Sequence, residues 1–183
     1  MSNTRTQVVQ GAGSLDSDIM IVIGQPGRES DKTGDIYSQG AIGEIFEAYL
    51  DALELDRESI WITCAVKCMA CDSIHGKLRN RAVTKDEMEI CSEWLNLEIE
   101  TVDPKIIILI GSVPLFMVTK LTGINTHRGR FISVTGKKYK VFPLISPNMM
   151  KYSNISQAAK DILIDDLDNL KKGIDKCLKR NLD

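Results

Sequence analysis

The sequence predicts an α/β fold, a three-layer α/β/α sandwich around a central, mainly parallel sheet. Two observations predict it. Short, β-branched apolar runs recur at 18–24, 59–66 and 105–111, and stretches with apolar residues at helical spacing follow them. Strands that alternate with helices are joined by crossovers, which make parallel sheets covered on both faces.

"DIMIVIG" (18–24) is a continuous apolar run between turn signals, so it reads as a fully buried strand. Ile42, Ile45, Phe46, Tyr49, Leu50 and Leu53 then form one apolar stripe at helical spacing. "SIWITCAV" (59–66) is a second strand. Thr84 with Glu87 three residues on is a capping-box start, and Met88, Cys91, Trp94 and Leu95 follow as a helical face. "KIIILIG" (105–111) is a third buried strand, with Ser112 opening a helix at a cap. "RFISVTGKKYKVFPLIS" (130–146) reads as two extended arms around Thr135-Gly136, the second ending at Ser146. From Ser156, Ala159, Leu163, Leu167, Leu170, Ile174 and Leu178 step by three or four, a terminal amphipathic helix. The 183 residues are expected to form one domain, with 1–10 a flexible tail.

Apolar content of 43% and 26% charged residues are ordinary globular values. A net charge of −2 gives no global attraction to nucleic acid or anionic membrane, so an anionic partner must be met by a local basic patch. No stretch approaches the ~18 apolar residues of a spanning helix, and Met1–Gln10 is too polar for a signal peptide. No membrane partner is therefore expected, and the expected location is cytoplasmic. Cys64, Cys68, Cys71, Cys91 and Cys177 are an odd count in an intracellular-looking chain, which argues against a disulfide framework. Open α/β sheets bind ligands beyond the carboxyl ends of their strands. The loops at 24–40, 67–83, 111–113 and 146–155 are thus the expected functional loops, and "IGQPGRESDKTG" (23–34) leads into the first.

Several segments carry a resemblance. They are "GAGSLDSDIMIV" (11–22), "GQPGRESDKTGDIYSQGAIGEIF" from Gly24, "WITCAVKC" (61–68), "NRAVTKDEMEIC" (80–91), "DPKIIILIGS" (103–112) and "HRGRF" (127–131). In this order and spacing the chain resembles the uracil-DNA glycosylase superfamily, most closely its family 4 branch, over roughly residues 11–170. The resemblance implies a uracil-DNA glycosylase-like fold and DNA as partner. It also implies a base-excision glycosylase that removes uracil or another deaminated or modified base by hydrolysis of the N-glycosidic bond.

The departures bear on the chemistry. Superfamily members place a water-orienting group before the proline, aspartate in family 1 and asparagine in the mismatch-specific branch; this chain has Gln25. The strand-end asparagine that reads the base edge falls at Cys64, and the histidine of the second motif at Ser146 of "SPNMMKYS". The acidic position of family 4 falls at Ser30, between Glu29 and Asp31.

Cleaving a nucleotide's glycosidic bond needs a flipped, stacked base, a positioned water and a donor to the departing base. By resemblance the candidate catalytic residues are Gln25, Glu29, Asp31 and Ser146. Gln25 would orient water as an amide, Glu29 and Asp31 are the nearby carboxylates, and Ser146 is a short neutral donor. Candidate base-binding residues are Gly24, Pro26 and Gly27, where backbone approaches the ligand, Tyr37 as stacking ring, and Cys64 at the strand end. Candidate DNA-binding residues are Lys67, Arg79, Arg81 and Arg128 on phosphate, with Asn148, Met149 and Lys151, the methionine serving as a wedge. Each has a plainer reading beside it: a solvated turn for the acids, a small buried strand residue for Cys64, scattered surface cations for the basic set. Gln25, Tyr37, Cys64 and Ser146 are expected to line one cavity.

Family 4 members hold a four-iron cluster with an N-terminal Cys-x-x-Cys and two later cysteines, which align with Cys68 and Cys91. No cysteine precedes Cys64, and such a cluster ordinarily takes four thiolates, so no iron–sulfur cluster or other metal is expected. A second function stays open: a catalytically silent relative that binds DNA or sequesters a nucleotide in the base pocket. Fold alone does not choose between the two.

Overall fold

The computed structural model describes residues 5–36, 41–75, 77–146 and 157–179. Its strands are β1 (Ala12–Gly13), β2 (Ile19–Ile23), β3 (Trp61–Cys64), β4 (Cys71–Ile74), β5 (Lys77–Asn80), β6 (Ile106–Ile110), β7 (Ile132–Ser133) and β8 (Lys140–Leu144). The helices are α1 (Arg28–Thr33), α2 (Ala41–Leu53), α3 (Lys85–Val102), α4 (Ser112–Thr119), α5 (Ile124–His127) and α6 (Gln157–Lys179). Six strands form the main sheet in the order β1-β3-β2-β6-β8-β7. β3, β2, β6 and β8 run parallel, and the two-residue strands β1 and β7 close the edges antiparallel.

Side chains alternate across the sheet as the strand period demands. Ile19, Ile21, Ile62, Cys64, Ile106, Ile108, Phe142 and Leu144 share one core with Leu50 and Leu53 of α2 and Leu170 and Ile174 of α6. Met20, Val22, Ile107, Leu109 and Val141 face the other way, against Cys91, Leu95 and Ile99 of α3 and Leu115 of α4. The three layers expected from the sequence are therefore present. No helix among the described residues is long and apolar enough to cross a membrane.

Local sequence explains the helix ends. Thr84 accepts a hydrogen bond from the Glu87 N–H while the Glu87 carboxylate accepts from the Thr84 N–H, the reciprocal cap expected there. α4 is capped by Gly111 rather than at Ser112. Four further expectations are corrected. Trp94, placed by spacing on the buried face of α3, is largely exposed. The segment following Met69 holds an antiparallel hairpin, β4 with β5. "RESDKT" winds into the short helix α1. Residues 5–10 are no loose tail: Val9 is fully buried, and its N–H donates to the Lys67 carbonyl at 2.9 Å.

Candidate functional site

From β2 the chain crosses to β3 on one side and returns to β6 on the other, so the strand order reverses between β2 and β6. At such a point the flanking loops diverge and a crevice opens over the strand ends. Ile23 pairs with Ile110, and Ile110 with Leu144, which sets Gly24, Gly111 and Ser146 around one mouth. The Gly111 N–H donates to the Leu144 carbonyl at 2.8 Å. Gly111 has φ +95°, a conformation that favours glycine, and a β-carbon added there would lie 3.6 Å from the Ser146 Cβ. The mouth is thus floored by bare backbone beside a half-buried serine.

The loop leaving β2 is braced rather than open. Gln25 Oε1 accepts from the Ala70 N–H at 2.7 Å, and its Nε2 donates to the Arg81 carbonyl at 3.2 Å. The amide expected to hold water thus clamps the base of the β4–β5 hairpin. Asp31 is 2% exposed, and its two carboxylate oxygens accept from the Thr6 N–H at 3.1 and 3.0 Å. Glu29 is exposed and paired with Lys32 at 2.8 Å. Arg28 donates to the Leu78 carbonyl at 2.7 Å, joining α1 to the hairpin.

Cys64 is not at the mouth. It shares the Ile62 face of β3, is fully buried against the α2/α6 layer, and burial pushes its thiol up to about 12. Of the four residues expected around one cavity, the structure brings Ser146 and the Gln25 backbone to the strand ends and turns Cys64 into closed core. Tyr37 lies outside the described residues, as do Asn148, Met149 and Lys151.

The basic set divides in the same way. Lys67, almost fully buried, donates to Thr63 Oγ1 and Glu98 Oε2, both at 2.5 Å. Arg81 grips Glu87 with two bonds of 2.8 and 2.6 Å and reaches Asp72 at 3.1 Å. The Arg81 guanidinium, aided by the Thr84 backbone, holds the Glu87 carboxyl down at about 2. Arg128 donates to both oxygens of buried Asp166 at 2.6 Å. These three cations are committed to carboxylates of the fold, which corrects their expected phosphate role. Arg79 stands exposed on β5, opposite Asp72.

The model of the "Uracil DNA glycosylase superfamily" matches residues 10–168. The chain belongs to this superfamily. It is 33% identical over 174 residues to the Type-4 uracil-DNA glycosylase of Thermotoga maritima, covering 94% of this chain and 85% of that one. To the Type-4 uracil-DNA glycosylase of Archaeoglobus fulgidus it is 29% identical, over 83% of this chain and 76% of that one. It is also 31% identical, over 76% of its length, to a stretch making up 14% of a DNA polymerase of Bacillus phage SP01. The superfamily is one of DNA base-excision glycosylases, which implies a DNA substrate.

The cluster of family 4 can be tested against the residues that would hold it. Cys68 and Cys91 line one groove. Beside them, however, stands the Arg5 guanidinium, whose Nη1 donates to Cys68 Sγ at 3.0 Å. Cys68 and Cys91 are two of the four thiolates that such a cluster ordinarily takes. Among the described residues no group of three or more histidine, cysteine or acidic side chains is placed to hold a metal ion. The Arg5 contact and the Gln25 clamp carry no signal in the sequence, because each is defined by a partner distant along the chain, whereas Gly111 lies in a loop expected to be functional.

Proposed function

We propose that this superfamily member excises uracil from DNA without an iron–sulfur cluster. The observation that carries the reading is the match to a Type-4 uracil-DNA glycosylase over 94% of the chain. The switch-point mouth of Gly24, Gly111 and Ser146 supports it. An extruded base enters the crevice and stacks on Tyr37. Water adds at the sugar carbon as the bond from that carbon to the base nitrogen breaks. The base leaves with the bonding electron pair and takes up a proton afterwards. Ser146 donates to a base oxygen as negative charge grows there; one such donor is typically worth about 10²–10³ in rate. Exposed Glu29 is the candidate carboxylate for the water, since Asp31 holds the Thr6 N–H and the Gln25 amide holds the hairpin.

A specific observation favours a second reading, a catalytically silent binder of DNA or a nucleotide: Gln25, Asp31 and Cys64 are all committed to structure. One assay separates the two. Purified protein is incubated with oligonucleotides bearing uracil, hypoxanthine, xanthine or 5-hydroxymethyluracil, single- and double-stranded, and abasic sites are cleaved with alkali. The glycosylase reading expects strand breaks at uracil. Oligonucleotide binding with no break at any base establishes the silent reading.

The polymerase relative supports one extension. A module of this kind makes up part of that chain, and we place the present protein in working association with a DNA polymerase.

A further inference from the structure

A groove of about 660 Å³ lies between α3 and the N-terminal segment, and none of Gly24, Gly111 and Ser146 lines it. One wall is a stripe of α3, with Ile90 71%, Trp94 61% and Leu97 55% exposed. The opposite wall is Val8 and Leu15 of the N-terminal segment, 45% and 52% exposed. Cys91, Leu95, Ile99 and Val102 already supply α3 with its buried face. A helix packed on a sheet needs one apolar face; α3 has two, and a contiguous exposed apolar surface marks a contact site.

The floor has an unmet need. Trp61 lies so close over Gly11 that a β-carbon there would sit 2.7 Å from the indole. Its Nε1–H is buried and has no acceptor among the described residues.

Charge selects the occupant. α3 carries six carboxylates and one lysine. Arg81 and Lys67 neutralise Glu87 and Glu98, leaving Asp86, Glu89, Glu93 and Glu100 exposed. At 3.6 residues per turn these four fall along the outer edge of the Ile90–Trp94–Leu97 stripe. An acidic edge repels DNA, and it repels a second copy presenting the same edge. It suits an apolar stripe flanked by lysine and arginine.

We propose that this groove docks an amphipathic, basic-edged helix of a DNA polymerase, leaving the mouth free for DNA. The proposal rests on the polymerase association drawn above and gives it a surface. The test mixes the purified chain with the DNA polymerase encoded by the same genome and measures complex formation by sedimentation and calorimetry. A one-to-one complex is expected. Trp94→Glu with Leu97→Glu should weaken it at least ~100-fold, as loss of central apolar anchors does. Glu93→Lys with Glu100→Lys should weaken it and flatten its dependence on salt. All four positions are exposed, so unchanged melting curves and unchanged uracil release are expected of both variants. No complex, a complex indifferent to both variants, or a dimer of the chain abolished by Trp94→Glu would overturn the proposal. A complex lost in the variants, from protein that releases no base, upholds the groove and removes only the glycosylase reading.

Discussion

If Ser146 is the donor proposed above, turnover rests on a single side chain. Ser146→Ala is expected to lower kcat by about 10² with KM little changed, because the donor acts on charge that develops in the transition state. Ser146→His is expected to raise kcat, read on the same uracil oligonucleotide. Gln25→Ala should act first on stability. It strands the Ala70 N–H and costs about 1–3 kcal/mol in urea unfolding. Glu87 gives a pH signature. Its carboxyl lies at about 2 against an ordinary 4.5, so its contribution is complete above pH 4.5 and fades as pH falls toward 2. Glu87→Gln should therefore destabilise by about 1–2 kcal/mol at pH 7, and the difference from the parent should close near pH 2 in chemical denaturation. The residue types of the site were legible in the sequence, but their duties were not. Asp31 meets Thr6, Gln25 meets Ala70 and Lys67 meets Glu98 across separations of 25, 45 and 31 residues, which no local pattern encodes.

Helices were legible because one-sided burial imposes a period on their side chains, and strands because a sheet covered on both faces leaves continuous apolar runs. Ile19 and Ile21 face one core and Met20 and Val22 the other, so no polar residue interrupts that run. The β4–β5 hairpin escaped because "CDSI" buries only Cys71, so no alternation marks it. Trp94 misled for the opposite reason, an aromatic at core-like spacing that faces out. The hairpin also sorts the basic residues. Arg79→Glu is expected to weaken oligonucleotide binding and reduce its salt slope by about one. Arg128→Ala should instead leave the slope unchanged and cost about 3 kcal/mol in stability, since it abandons a buried Asp166 carboxylate.

At the scale of the molecule, the N-terminal segment acts as a strap. Val9 is enclosed, Thr6 holds Asp31 and Arg5 holds Cys68, so the strap ties α1 to the loop after β3. Deleting residues 1–9 is expected to cost about 2–4 kcal/mol, measured by urea unfolding, because it exposes a core valine and leaves the Asp31 carboxylate without its donor. The sheet itself has a further property. β1 and β7 are each two residues long, and β8 carries Pro143 just where β7 has ended. Pro143 has no N–H to offer there, and its carbonyl is already taken by the Gly129 N–H. Among the described residues, neither margin of the main sheet therefore presents a run of unpaired amides long enough to template a foreign strand. Fibrillar growth by strand addition to that sheet is thereby disfavoured.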